Sequence, residues 1–237
     1  MRAYRRFTPW FLSALCLVVS LNASAACSVS MRWNVDPPFF SFDPRDGAVS
    51  GLDYELAAAA LGRLGCTLTL VREPWARAVV SLRDGRIDLI TSTYKTDLRA
   101  DFANFSEASA FVSPNVLFFR RGEFTQWKIS ELSDLARLDF RVGSQLGVRY
   151  GTDVDSLLDE LKQRNKSLMI SNRQSLWKML KRNRVDGVIA DLATGSLEAP
   201  QIGGPELVDD NVVMVSSEPA YFAFSKQSVP RDFVERF

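Results

Sequence analysis

Apolar and polar positions after the first 25 residues follow two alternating periods. Residues 28–33 read as a half-buried strand, and Pro37-Pro38-Phe39-Phe40 ends it in an extended loop, because a residue preceding proline is kept out of the helical region. Leu52, Leu56, Ala60 and Leu64 recur at helical spacing behind Ser50 and Asp53, a pair spaced like a capping box, and Gly65 stops that helix. Residues 67–71 alternate as a strand, 75–84 have helical period, 87–91 form a buried strand, and 115–119 form another. A second run begins near Ser130. It predicts helices at 130–136, 154–164 and 174–183, and strands at 139–143, 168–170 and 187–190. Residues 199–206, with Pro200, Gly203, Gly204 and Pro205, read as a loop, and 212–215 and 220–224 as closing strands.

Two phrases in this pattern repeat. Arg-Ile-Asp-Leu-Ile-Thr from Arg86 and Arg-Val-Asp-Gly-Val-Ile from Arg184 lie 98 residues apart, each preceded by a leucine (Leu82, Leu180) and by a residue suited to a left-handed conformation (Gly85, Asn183). Each half gives strand–helix–strand–helix–strand, the order that builds a parallel sheet with right-handed crossovers. The expected fold class is therefore α/β, with two similar lobes, each a mainly parallel sheet flanked by helices. Open sheets of this kind take ligands beyond the carboxyl ends of their strands. There the 98-residue shift makes Thr93 and Asp191 equivalent, so both lobes present polar groups to a shared cleft. The repeated Asp88 and Asp186 read as structural turn residues.

Composition narrows the chemistry. Arg2, Arg5 and Arg6, the apolar run 10–21 and Ala23-Ser24-Ala25 form an export signal, with cleavage expected after Ala25. A lipoprotein signal ending at Cys27 is the rival, disfavoured by Ser24 three residues earlier. With the leader gone, 29 basic residues less three arginines face 28 acidic ones, a net charge of −2. That supplies no basic field for nucleic acid or anionic lipid. The chain has no histidine, which removes Ser-His-Asp and Cys-His catalysis and histidine-bearing zinc sites. It has no CxxC pair, Walker loop or EF-hand loop, so no cofactor is expected. Cys27 and Cys66 remain, as a disulfide in an oxidising compartment or as two buried thiols. They open two strands that should be parallel neighbours, which favours a bridge.

Several stretches together resemble the periplasmic solute-binding proteins of polar amino-acid uptake systems, bacterial extracellular solute-binding family 3. They are PPFFSFD from Pro37, GLDYELAAAALGRLG from Gly51, PWARAVVSLRDGRIDLI from Pro74 and TDLRADFANFSEA from Thr96, then FRVGSQLGVRYG from Phe140, LKRNRVDGVIAD from Leu180 and YFAFSKQS from Tyr221. The resemblance implies a two-lobed Venus-flytrap fold, with lobe 1 at 26–118, lobe 2 at 119–218, and 219–237 returning to lobe 1. It implies that Arg99, in Thr-x-x-Arg, grips a ligand α-carboxylate and that Asp191 takes the α-ammonium group. Phe39 and Trp75 would wall the pocket, the loop 145–150 would close over it, and Arg77 would add a cation. Tyr94, beside Thr93, stands where the family often has a small hydroxyl, and Arg149-Tyr150 replaces a stretch that is often Gly or Thr. The family continues for two elements beyond the helix begun at Pro230, so the chain reads as truncated or as a short member.

Plainer readings stand beside these. Arg99 could pair with Asp97 or Asp101 at the surface, Asp191 could cap a helix, and Trp75 and Phe39 could be core. The expected function is a non-enzymatic, monomeric periplasmic receptor that delivers a small polar solute, an amino acid, to an ABC permease. The alternatives are a ligand sensor acting through a separate signalling partner and a dehydratase-like enzyme, with Glu55 or Asp191 as its acid.

Overall fold

The computed structural model describes residues 27–109, 111 and 113–237; the expected leader at 1–25 lies outside the described residues. The first elements are β1 (Ser28–Trp33), the antiparallel pair β2 (Ser41–Phe42) and β3 (Val49–Ser50), α1 (Leu52–Arg63), β4 (Thr67–Arg72), α2 (Trp75–Arg83), β5 (Leu89–Tyr94), α3 (Asp97–Ala100) and β6 (Ala103–Ala108). Then follow β7 (Asn115–Arg120), α4 (Phe124–Trp127), a 3₁₀ helix (Leu132–Arg137), β8 (Val142–Gln145), α5 (Thr152–Gln163), β9 (Ser167–Ile170), α6 (Arg173–Lys181), β10 (Gly187–Asp191) and α7 (Leu192–Gly203). The chain closes with β11 (Val208–Ser216), β12 (Ala220–Ser225) and α8 (Arg231–Arg236).

Two five-stranded sheets result, ordered β4-β1-β5-β12-β6 and β9-β8-β10-β7-β11. In each, three parallel strands are followed by two antiparallel ones. Written this way the sheets superpose strand for strand, and α2 and α6 differ by 98 at both ends. Gly85 (φ 70°) and Asn183 (φ 55°) both take the expected left-handed conformation. The repeated aspartates do the same work in each half. Asp88 accepts from the Ser30 amide and hydroxyl on β1, and Asp186 accepts from the Arg141 amide and guanidinium just before β8. Each stitches the turn before the third strand to the first.

Cys27 and Cys66 form a disulfide at the starts of β1 and β4, which pair in parallel. The first lobe packs Met31, Phe40, Ala57, Leu61 and Phe224 into its core, and the second packs Leu176, Trp177, Leu180 and Val188. Phe118 meets Trp177 edge to face at 5.4 Å. The chain passes from one sheet to the other between Ala108 and Asn115, and returns between Ser216 and Ala220. β7 therefore lies wholly in the second sheet, and a lobe boundary at 118/119 cuts through it.

Four local expectations change. α1 buries Asp53, Ala57 and Leu61, while Leu52 (39 % exposed) and Leu56 (45 %) face outward. Its N-cap is Gly51, with no side-chain cap, because Asp53 turns away to accept from the Ser92 hydroxyl at 2.7 Å. Residues 130–136 tighten into a 3₁₀ helix tied at its start by Asp134 to the Ser130 and Glu131 amides. The expected loop at 199–206 begins inside α7, where burial of Thr194, Glu198 and Ala199 outweighs the missing N–H of Pro200.

Candidate functional site

The carboxyl ends of the parallel strands in both sheets converge on one cavity of about 130 Å³, below the ~300–1,000 Å³ typical of drug-sized ligands and suited to a small solute. Seven of the eight residues singled out in the sequence line it: Phe39, Trp75, Thr93, Tyr94, Arg99, Arg149 and Asp191. Arg77 does not. It lies on the exposed side of α2, because two residues along a helix turn about 200° away from the inward Trp75.

Local structure explains how Arg99 is presented. Thr96 caps the short α3 by accepting from the Arg99 amide, and this fixes the spacing in Thr-x-x-Arg. The Arg99 side chain is 5 % exposed. Its guanidinium donates to the backbone oxygens of Tyr94 (2.9 Å) and Gly147 (3.2 Å) and lies 5.8 Å from the Trp75 ring centroid. Among the described residues no carboxylate lies within salt-bridge distance of it, so neither Asp97 nor Asp101 is its partner. Burial, and then the nearby Arg149 charge, pull its pKa down to about 10, which still leaves it cationic at neutral pH. Arg149 is half-exposed and faces Asp155 at 3.6 Å.

Asp191 ends β10 and caps α7, accepting from the Thr194 amide at 2.9 Å. Burial raises its pKa, and no cation among the described residues forms a salt bridge with it. Capping uses one lobe of the carboxylate and leaves acceptor capacity toward the cavity. Thr93 lines the cavity with a buried hydroxyl that has no hydrogen-bond partner among the described residues. Tyr94 occupies a junction: Asn115 Nδ2 donates to its hydroxyl at 2.7 Å and to the Ser216 hydroxyl at 3.3 Å, so both crossings between the sheets meet at one phenol.

The loop 145–150 lies against the first lobe. Trp75 Nε1 donates to Gly147 O at 2.9 Å. Gly147 has φ +82°, and a Cβ there would come within 3.1 Å of Ala76 Cα in the other lobe, so any other residue would strain the backbone and press on Ala76.

Four charged lining residues escaped the sequence reading: Arg32, Asp36, Asp53 and Arg173. Arg32, Asp36 and Arg173 belong to a cross-cleft chain. Arg32 Nη1 donates to Asp36 Oδ2 (2.7 Å), and Arg173 donates to Asp36 Oδ1 (2.8 Å), to both oxygens of Glu198 (2.8 and 3.0 Å) and to Gln145 Oε1. Trp177 Nε1 also donates to Glu198. Burial alone would raise the Asp36 carboxyl, but the Arg32 and Arg173 charges outweigh it and hold it below the usual carboxylate range. Asp53 stands apart, its pKa raised by burial and partnered by Ser92. One signal could have found Arg173. Under the 98-residue shift it is the counterpart of Trp75, each being the first residue of its helix.

Known proteins share this architecture. An ancestral arginine-binding protein bound to glutamine is 23 % identical, with a TM-score of 0.71 and 88 % of each chain covered. AbpA, an amino acid ABC transporter substrate-binding protein from Streptococcus pneumoniae bound to L-arginine, is 22 % identical, with a TM-score of 0.70, over 88 % of this chain and 85 % of that one. An ancestral amino acid-binding protein, a precursor of cyclohexadienyl dehydratase, is 22 % identical, with a TM-score of 0.67, over 84 % and 82 %. At these identities the likeness establishes the two-lobed fold. No curated protein matches the sequence. Residues 31–168, more than half of the chain, match a single family, so the chain belongs to the bacterial extracellular solute-binding proteins, family 3.

Proposed function

We propose that this solute-binding protein takes an amino acid between its lobes, with the carboxylate on Arg99 and the α-ammonium group near Asp191. The observation that carries this reading is that, among the described residues, a buried guanidinium with no salt-bridged carboxylate and a carboxylate with no salt-bridged cation line the same small cavity. A zwitterion supplies both missing charges, and arginine's planar fork suits a carboxylate. Phe39 and Trp75 wall the side-chain end, and the arginine- and glutamine-bound relatives show what this fold accommodates elsewhere. Delivery to an ABC permease from the periplasm follows from this reading. Export by the leader at 1–25 and the disulfide support that location.

The test is a thermal-shift screen of the mature protein against L-arginine, L-glutamine, other amino acids and plain carboxylates. A ligand at 100 times its dissociation constant stabilises the native state by about 2.7 kcal/mol. Asp191→Asn is expected to weaken amino acids while sparing carboxylates that lack an ammonium group. Equal weakening of both, or of neither, sinks the assignment of Asp191. A catalytic reading has narrower support. Glu55 is exposed on α1 and cannot reach the cavity, but Asp53 and Asp191 line it with raised pKa values, as an acid catalyst requires. Turnover of a dehydratable ring acid by the purified protein would favour it.

A further inference from the structure

We infer that Asp53 is a positioning residue for the solute site: through the Ser92 hydroxyl it holds a bulge in β5 that brings the consecutive residues Thr91 to Tyr94 to the cavity wall. The inference rests on the reading of that cavity as a solute site, but its evidence lies within the first lobe. β5 pairs antiparallel with β12, and the register slips by one residue along the pair: Tyr221 stands opposite Thr93, whereas Ala223 stands opposite Ile90. Phe222 therefore faces both Thr91 and Ser92, which is a β-bulge. A regular strand sends successive side chains to opposite faces. Here Thr91, Ser92, Thr93 and Tyr94 all line the cavity.

The bulge places a residue in the left-handed region, where glycine is the usual occupant. That residue is Ser92, at φ 47°. A residue with a Cβ is disfavoured there, and the conformation persists only where its surroundings fix it. The side-chain contact that fixes it is the hydrogen bond from Ser92 Oγ to Asp53 Oδ2, at 2.7 Å. Asp53 is itself anchored. Its amide donates to Phe39 O at 3.2 Å, and Gly51 lies so near that carbonyl that a Cβ on it would come within 2.5 Å. Asp53 thus ties the aromatic wall at Phe39 to the polar wall at Thr91–Tyr94.

The bulge also reaches the site's buried cation. Arg99 Nη1 donates to Tyr94 O, two residues beyond Ser92. A slip of β5 at Ser92 would carry that carbonyl with it and shift the guanidinium meant for the solute. This gives Asp53 a use that its place in the first turn of α1 does not, since it caps nothing there.

Calorimetry with whichever amino acid shifts the melt, and the NMR carbon shifts of residue 92 in the solute-free mature protein, provide the test. Asp53→Ala is expected to weaken binding roughly tenfold and to move residue 92 from left-handed to extended shifts. Adding Ser92→Gly should bring affinity back to within about threefold of wild type, because glycine takes positive φ without a clamp. Ser92→Ala keeps the Cβ and loses the hydroxyl, so it should match Asp53→Ala, and the two together should lose no more than either alone. Circular dichroism and a cooperative melt verify that each variant folds. Failure of Ser92→Gly to rescue Asp53→Ala would mean that Asp53 touches the solute itself, and would overturn the positioning role. Unchanged affinity in Asp53→Ala, or a residue 92 that stays left-handed without Asp53, would overturn it too. Failure of every amino acid in the thermal-shift screen would sink the proposed solute, while the shifts of residue 92 would still decide the clamp.

Discussion

Arg99→Ala is expected to lower affinity for any amino acid the protein binds by roughly 30-fold to several-thousand-fold. Truncating one partner of a desolvated, hydrogen-bonded charge pair typically costs about 2–5 kcal/mol. The upper part of that range is the natural expectation here. Arg99 is almost fully buried, is held in place by two backbone carbonyls, and faces no carboxylate of its own within salt-bridge distance among the described residues. Its guanidinium is therefore already desolvated and anchored at the cavity wall, so binding has little side-chain freedom left to remove. Arg99→Lys separates charge from geometry. It keeps a cation but loses the planar fork, and it should retain an intermediate affinity. Calorimetry with whichever amino acid shifts the melt would settle the matter. An Arg99→Ala variant within threefold of wild type would move the carboxylate site elsewhere, to Arg149 or the Tyr94 hydroxyl.

Removing the disulfide should damage stability and spare affinity. Cys27 and Cys66 close a loop with a sequence separation of 39 residues. In the chain-entropy account, a loop of that size stabilises the fold by about 4 kcal/mol. For a protein of this size the double substitution Cys27→Ala/Cys66→Ala should lower the melting midpoint by roughly 10 °C. The cystine sits at the starts of β1 and β4, whereas the cavity lies past the opposite ends of the same strands. Binding measured well below the new midpoint should be unchanged. A loss of affinity matching the loss of stability would show that the strand starts and the cleft are coupled after all.

The sequence reading succeeded where periodicity and repetition act locally. The phrases at Arg86 and Arg184 located β5, β10, their preceding turns and the topological ends at Thr93 and Asp191. The disulfide followed from strand order. The reading failed where a tertiary partner overruled a local pattern. The Leu52–Leu56 stripe looked like a core face, but Asp53 is drawn inward to Ser92, and the helix rotates to bury Ala57 and Leu61 instead. The family resemblance placed Arg77 in the cleft, and helical geometry turns it outward. The charged row Arg32–Asp36–Arg173–Glu198 could not be read at all. Its members lie on β1, the loop after it, α6 and α7, across both lobes, and each alone is an ordinary arginine or acid.

Tyr94 carries a mechanical consequence. Two strand crossings could in principle bend separately, which would let the lobes twist as well as open. Here Asn115 belongs to the outgoing crossing and Ser216 to the returning one, the two are paired across β7 and β11, and both meet the Tyr94 hydroxyl. Bending one crossing drags the other through that shared phenol. The two crossings are thereby tied to each other at the cavity wall, which Tyr94 and Asn115 both line.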